Sequence, residues 1–250
     1  MLKHFVSDGL SLAYVDLKPT VEGRGETVML VHGFASNHTV NWVNTAWTRS
    51  LTHAGYRVVA HDNRGHGASD KPHDPAAYGS DLMARDVRRL MDHLGIGRAH
   101  VMGYSMGARI AAHLALAHPE RLITLLLGGL GVHLVDGVGL PIGIADAMEA
   151  PSLAALADPM QRMFRAFAEQ TKSDLTALAA CIRGSRQTLT VAEVGRIVTP
   201  TLISVGTNDP IAGSAQDLAG LMPNARAFDI EDRDHNLAVG DRRHKEAADQ

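Results

Sequence analysis

Cysteine is nearly absent from this 250-residue chain, which contains one, Cys181. A single thiol excludes an intrachain disulfide and leaves a thiolate zinc site without a second sulfur ligand. The 14 histidines are scattered, with no pair four residues apart on a predicted helix and no carboxylate at ligand spacing. We therefore expect neither a disulfide framework nor a metal site.

Long apolar runs and charge of one sign are also scarce. The longest apolar stretch, 122–130, has about half of the roughly 20 residues that span a bilayer. The opening residues, MLKHF, contain no apolar core of a secretory signal. The net charge is only -3, and no run of five like charges occurs. These absences predict a cytoplasmic protein with no membrane span and no nucleic-acid partner.

Short apolar runs recur along the chain, at 28–31, 57–60, 99–102, 123–127 and 201–205. They are continuous rather than alternating, as in strands that are buried on both faces of a parallel sheet. Helical patterns at 81–94 and 106–118 lie between them, and Ser7-Asp8-Gly9 between two short runs indicates a hairpin. The alternation predicts an α/β fold: a mostly parallel, doubly wound sheet with an N-terminal hairpin and helices on both faces.

The regular alternation stops between about residues 130 and 196. Glycines and a proline predict a loop there, followed by two or three short helices, for which Asp158-Pro159 and Ser173 are the expected starts. One face of the second helix carries a stripe of large apolar side chains: Met160, Met163, Phe164 and Phe167. Such a stripe is typical either of ordinary packing or of a lid that lines a pocket. We expect 130–196 to form a helical lid inserted into a core of residues 1–129 and 197–250.

A Gly-x-Ser-x-Gly motif occupies residues 103–107. It follows the apolar run 99–102 and opens the helical pattern at Met106, which is the strand-turn-helix context that this motif needs around a nucleophilic serine. The two glycines leave room for a sharp, strained turn that exposes the side chain of Ser105 above the sheet. The amides that follow Ser105 then point from a helix N-terminus toward developing negative charge.

With this motif in this context, the chain resembles the α/β-hydrolase superfamily, and in particular its lid-bearing, serine esterase-like members, from Val28 to His235. The resemblance implies the chain order nucleophile, acid, histidine, which matches Ser105, Asp209 and His235. The chemistry agrees, because a serine hydroxyl needs an imidazole as its base and the imidazole needs a carboxylate to fix its tautomer.

Four other acidic residues lie near Asp209 in the sequence: Asp217, Asp229, Asp232 and Asp234. Only Asp209 comes at the carboxyl end of a buried strand, where α/β sheets place their sites, so it is the predicted acid. His244 lies in a charged segment, and we expect it to be a solvated helix residue rather than a second base. That segment is short, whereas the resemblance implies a longer closing amphipathic helix.

The segment His32-Gly33-Phe34 follows the first predicted parallel strand. By the resemblance it supplies one oxyanion-hole amide, so the donors are the backbone N–H groups of Phe34 and Met106, each worth on the order of 3 kcal/mol of barrier. His32 is expected to orient this turn, and the turn at 62–70 to be structural. The expected pocket lining is His32, Gly33, Tyr104, Met163, Phe164 and Phe167.

The resemblance and the residues together predict a cofactor-independent serine hydrolase that cleaves carboxylic esters through an acyl-enzyme. The predicted substrate is a small-molecule ester with an apolar acyl group. A serine nucleophile disfavours the dehalogenase and epoxide-hydrolase branches, which use an aspartyl ester. Three alternatives stay open: C–C bond hydrolysis of a diketone-like substrate, acyl transfer to an acceptor other than water, and a non-catalytic ligand receptor.

Overall fold

The computed structural model describes residues 1–137 and 139–249. Within them, eight strands form one sheet in the order β1-β2-β4-β3-β5-β6-β7-β8. The strands are β1 (Lys3–Ser7), β2 (Leu10–Leu17), β3 (Thr27–Val31), β4 (Arg57–His61), β5 (Ala99–Tyr104), β6 (Leu122–Gly128), β7 (Thr201–Gly206) and β8 (Ala225–Ile230). The continuous apolar runs of the sequence therefore form strands, as predicted.

The sheet is parallel except at one edge. β2 pairs antiparallel with both β1 and β4, and every pair from β4 to β8 is parallel. The turn between β1 and β2 has positive φ at both Asp8 and Gly9, 50° and 77°, which suits the twist of a two-residue hairpin. This confirms the predicted N-terminal hairpin and the mostly parallel sheet.

Eleven α-helical segments occur in the described residues. They are α1 (Trp47–His53), α2 (Ser80–His93), α3 (Met106–Ala117), α4 (His133–Asp136), α5 (Gly143–Glu149), α6 (Pro159–Gln170), α7 (Leu175–Gly184), α8 (Val191–Val194), α9 (Ala215–Leu221), α10 (His235–Ala238) and α11 (Arg242–Ala248). None of these helices combines the length and the apolar character that crossing a bilayer requires.

Both faces of the sheet are covered, because alternate residues of a strand point to opposite sides. In β3, Val28 and Leu30 pack in one apolar cluster with Trp47 of α1. Met29 and Val31 belong instead to a larger cluster that includes the buried faces of α2 and α3. The two clusters explain why the runs are apolar at successive positions, and they confirm the doubly wound architecture.

Residues 130–196, between β6 and β7, carry α4 to α8 and no strand in their described part. Asp158 caps α6 by accepting a hydrogen bond from the Gln161 amide at 2.8 Å, as expected. The expected cap at Ser173 is wrong. Asp174 caps α7 instead, through the Ala177 amide, because its carboxylate directly precedes the first turn, while the Ser173 hydroxyl pairs with Thr171.

The expectation that His244 is solvated is also wrong. Its ring on α11 is fully buried and packs edge-on against Trp47 at 5.0 Å between ring centroids. Nδ1 lies 3.2 Å from the carbonyl oxygen of Ala238, to which it donates. The charged neighbours hid this position, because α11 has one buried face among exposed charges.

Burial lowers the pKa of His244 to about 4, so folding should become less favourable as the solution is acidified. The unfolded state binds a proton below about pH 6.5, whereas the folded state resists it down to about pH 4. We expect this histidine to contribute a slope of up to about 1.4 kcal/mol per pH unit to the unfolding free energy across that window. Urea unfolding of His244→Phe between pH 8 and 5 should show the smaller slope. The exposed-site variant His4→Gln should keep the wild-type slope. If the unfolding free energies of His244→Phe and the wild type changed in parallel with pH, the slope would not come from His244.

Candidate active site

Ser105 lies on a sharp turn between β5 and α3, with φ 56° and ψ −117°. A Cβ at Gly103 would lie 2.1 Å from the carbonyl oxygen of Gly107, and a Cβ at Gly107 would lie 2.0 Å from that of Val31. No side chain fits at either distance, so the turn requires glycine at both positions. These close contacts explain why the Gly-x-Ser-x-Gly motif has glycine on both sides of the serine.

The turn aims the Ser105 side chain at a histidine rather than at its own helix. Ser105 is the N-cap of α3, yet its hydroxyl makes no capping hydrogen bond. Its Oγ lies 2.9 Å from Nε2 of His235, and Nδ1 of His235 lies 2.7 Å from Oδ2 of Asp209. The structure therefore brings together the three residues that the sequence predicts, from three separate segments that follow β5, β7 and β8.

The Asp209 carboxylate is fixed on both oxygens. Its side chain has no exposed surface, and Oδ1 accepts hydrogen bonds from the amides of Ile211 and Ala212 at 2.8 and 3.1 Å. An ionised carboxylate only accepts, so Nδ1 of His235 must carry the proton that it donates to Oδ2. Nε2 is then left with a free lone pair, which can accept the Ser105 hydroxyl proton.

Tyr104 contacts both the backbone and the ring of His235. Its hydroxyl donates to the carbonyl oxygen of His235 at 2.5 Å, and its ring centroid lies 5.5 Å from the imidazole. Burial raises the pKa of Tyr104 well above its usual value, so the hydroxyl keeps its proton and stays a donor. The residue before Ser105 thus holds the first residue of α10, His235.

The loop after β3 lies against the nucleophile turn. A Cβ at Gly33 would lie 3.2 Å from the Tyr104 carbonyl oxygen and 3.4 Å from the Ser105 Cβ. The Gly33 amide donates to Oδ1 of Asn41 at 3.0 Å, which fixes the direction of the loop. Among the described backbone groups, the next amide, that of Phe34, donates to none. Asn41 is a positioning residue that no motif in the sequence marked.

His32 is a fully buried hydrogen-bonding residue of this loop. Its Nε2 accepts from the Asn63 amide at 2.9 Å, so its proton is on Nδ1, which donates to the Gly33 carbonyl oxygen at 2.7 Å. Burial lowers the pKa of His32 to about 3, which keeps the ring neutral. His32 lines neither cavity at the site, so its place is behind the loop rather than in the pocket.

The turn at 62–70 makes structural hydrogen bonds next to the loop that follows β3. Both oxygens of the buried Asp62 carboxylate accept amide hydrogen bonds, from His38 and from Ala68 at 2.8 and 2.9 Å. Arg64 forms a buried ion pair with Asp86. The His38 bond joins this turn to the segment that precedes Asn41, the Ala68 bond closes the turn itself, and the ion pair joins the turn to α2, in agreement with the structural role expected of it.

Two cavities meet at Ser105, and both are also lined by Phe34. The first, which we name the arginine cavity, is lined by residues that include Met106, Arg109, Leu140, Ile182 and Arg186. The second, the histidine cavity, is lined by residues that include Asn41, Tyr104, Phe164, Phe167, His235 and Asn236. In the described part of the chain, no three His, Cys, Asp or Glu side chains gather as metal ligands.

Some of the expected pocket residues line these two cavities, and others do not. Gly33, Tyr104, Phe164 and Phe167 line the histidine cavity. Met163 lines neither cavity and is 38% exposed, because it lies one position outside the buried face of α6.

The arginine cavity contains two cations that the sequence analysis missed. Arg109 lies on α3 one turn after Ser105 and is only 3% exposed. Its guanidinium donates to the backbone carbonyl oxygens of His133, Leu134, Gly137 and Gln187. Burial and, to a lesser extent, the positive charge of Arg186 lower the pKa of Arg109 to about 10. The one available signal was a single arginine within an alanine-rich helix.

Comparison with known proteins shows similarity to α/β-hydrolase-fold proteins in the first half of the chain. The model of the α/β-hydrolase fold family matches residues 26–129. A fluoroacetate dehalogenase from a Burkholderia species is 38% identical over 114 residues, 44% of this chain and 36% of that protein. A 2-hydroxy-6-oxononadienedioate/2-hydroxy-6-oxononatrienedioate hydrolase from Burkholderia vietnamiensis is 40% identical over 127 residues, 50% of this chain and 43% of that protein. These matches thus span less than half the length of either relative.

Two further similarities extend over nearly the whole chain. A non-heme chloroperoxidase from Streptomyces lividans is 29% identical over 264 residues, covering 92% of this chain and 91% of that protein. A hydrolase of known structure from Pseudomonas aeruginosa is 27% identical and superimposes with a TM-score of 0.76, covering 99% of this chain and 96% of that one. Together with the sheet order and the turn at Ser105, these similarities show that the chain has the α/β-hydrolase fold and is similar to members of that superfamily over nearly its whole length.

Proposed function

We propose that this protein is a serine hydrolase that cleaves carboxylic esters through an acyl-enzyme intermediate. The observation that carries the proposal is the continuous hydrogen-bonded series from Ser105 Oγ through His235 to the buried Asp209. A hydroxyl, an oriented imidazole and a fixed carboxylate are what nucleophilic acyl transfer needs. Two of the similar proteins are hydrolases by name, and the ester bond is our inference from the site.

In this mechanism His235 takes the proton of Ser105 as the hydroxyl attacks the carbonyl carbon. The negative charge that develops on the carbonyl oxygen is stabilised by the backbone N–H groups of Phe34 and Met106. His235 then protonates the leaving alcohol, and the same imidazole activates the water that releases the acid. Asp209 keeps its charge throughout and stabilises the imidazolium.

The two cavities receive the two halves of the substrate. His235 lines the histidine cavity but not the arginine cavity. Because His235 must reach the oxygen of the leaving group, the alcohol occupies the histidine cavity. The acyl group then extends past Met106 into the arginine cavity. The inserted segment 130–196 acts as the lid, since Phe164 and Phe167 of α6 and Ile182 of α7 form walls of the two cavities.

The test is steady-state hydrolysis of p-nitrophenyl esters from acetate to decanoate, together with labelling by a fluorophosphonate. We expect multiple turnover and a covalent adduct on Ser105, identified by peptide mass spectrometry. Heat-denatured protein is the control, because labelling of the folded site requires the aligned imidazole. An enzyme that neither hydrolyses any of the esters nor reacts with the probe would contradict the proposal.

C–C bond hydrolysis is the second candidate, and the similarity to the Burkholderia vietnamiensis hydrolase favours it. The same triad and the same two amides serve that reaction. Its leaving group is a carbanion equivalent rather than an alcohol, and this leaving group takes up a proton at carbon. A protein that is labelled at Ser105 yet inert on all esters would support this candidate. Loss of absorbance of a 2-hydroxy-6-oxohexadienoate would then measure it.

A further inference from the structure

Among the described residues, the arginine cavity is lined by positively charged side chains and by no negatively charged one. Its lining includes Arg109 and Arg186 and no aspartate or glutamate. Every hydrogen bond that these two side chains make to described residues goes to a backbone carbonyl oxygen, which for Arg186 is that of Leu140 at 2.9 Å. Two guanidinium groups therefore face one cavity without an acidic partner from the described chain.

A buried cation without a counter-charge is costly, since carbonyl dipoles replace only part of the lost hydration. Arg109 is almost completely buried, and the charge of Arg186 acts on it unfavourably. An anion in the cavity would be attracted by both groups in surroundings that screen charge weakly. Guanidinium groups are also the side chains whose geometry best matches a carboxylate.

The rest of the lining restricts what kind of anion fits. Leu130, Leu140, Ile182 and Ile211 give the cavity apolar walls. Such walls suit methylene groups, whereas the arginines suit a charged end. Ser105 is part of the same lining, so a chain that reaches the arginines from the reaction site has its other end at the nucleophile. An aliphatic acyl chain with a terminal carboxylate fits the walls, the charges and the position of Ser105 together.

We propose that the arginine cavity binds a carboxylate at the far end of the acyl group, so that the preferred substrates are half-esters of aliphatic dicarboxylic acids. This inference rests on the proposed function, which places the acyl group in this cavity. It replaces the sequence-based expectation of an apolar acyl group by one of an apolar chain that ends in a charge. Arg186 is the residue to vary, because Arg109 also fastens four carbonyl groups of the inserted segment.

The kinetic test compares kcat/KM for monoethyl succinate, glutarate and adipate with kcat/KM for ethyl butyrate, valerate and hexanoate, which have the same acyl lengths without the charge. We expect the wild type to prefer the charged member of at least one pair. Arg186→Gln should lower that preference on the order of 10- to 100-fold, the range of a hydrogen bond between charged groups. Arg183→Gln is the matched control, since Arg183 lies three residues earlier, pairs with Glu149 and lines neither cavity. It should leave the preference unchanged.

A binding measurement separates the subsite from the reaction. Calorimetric titration of the Ser105→Ala variant with glutarate and adipate should show binding that Arg186→Gln, added to that variant, weakens by a similar factor. If no ester is hydrolysed but this binding is found, the anion subsite stands and the proposed hydrolysis fails. If esters are hydrolysed with no preference for the charged member and the dicarboxylates do not bind, the subsite is overturned and the hydrolase stands.

Discussion

Ser105→Ala should lower kcat for ester hydrolysis by about 10⁴- to 10⁶-fold. In the proposed mechanism the hydroxyl is the attacking group, and its Oγ lies 2.9 Å from Nε2 of His235. The amides of Phe34 and Met106 remain in the variant, so the residual rate is that of water attack helped only by these donors and by binding. The measurement is hydrolysis of the best p-nitrophenyl ester, with active-site titration by a fluorophosphonate to exclude contaminating enzyme.

Ser204→Ala is the matched control for this loss. Ser204 is a fully buried serine on β7, and its hydroxyl has no hydrogen-bond partner among the described residues. Removing that hydroxyl takes away the same atoms at a position that lines neither cavity. We expect its kcat to stay at the wild-type value. A Ser105→Ala enzyme that retained a tenth of the activity would show that another group attacks the carbonyl, and the proposed acyl-enzyme mechanism would be wrong.

The sequence was most informative where one residue type is physically required. The strands were predicted because residues buried on both faces of a sheet leave a continuous apolar run, as at 28–31 and 201–205. The turn at Ser105 was predicted because a Cβ on either flanking glycine would overlap a backbone carbonyl group. Asp209 was selected by its place at the end of a buried strand, and the structure places its carboxylate against His235.

The sequence was least informative where a role depends on which distant segments meet. His244 has charged neighbours in sequence, and only the packing of α11 against Trp47 shows that it is buried. Arg109 and Arg186 belong to the core and to the inserted segment, far apart in the chain. Neither position carries a local pattern, since their common cavity exists only after the insertion has folded over α3. Asn41 was missed for the same reason, because its partner is a backbone amide of another loop.

Asp209→Asn should lower kcat by about 10⁴-fold while leaving the protein folded. The reason lies in the donors around the carboxylate. Oδ1 accepts from the amides of Ile211 and Ala212, so the oxygen of an asparagine must stay on that side. Its amino group then faces Nδ1 of His235. Because an amino group only donates, Nδ1 must become the acceptor, and the proton moves to Nε2.

A histidine with its proton on Nε2 cannot accept one from Ser105, so the variant loses its base without losing a contact. The kcat of Asp209→Asn, measured beside its unfolding free energy, should therefore fall steeply while its stability changes little. Asp229→Asn is the matched control, since Asp229 is an exposed aspartate on the neighbouring β8, away from both cavities, and should keep wild-type kcat. Asp209→Ala should differ from Asp209→Asn by losing stability as well, because it leaves two partly buried amides without their acceptor. If Asp209→Asn kept its activity, the carboxylate would not be setting the tautomer of His235, and the base would have to be oriented by another group.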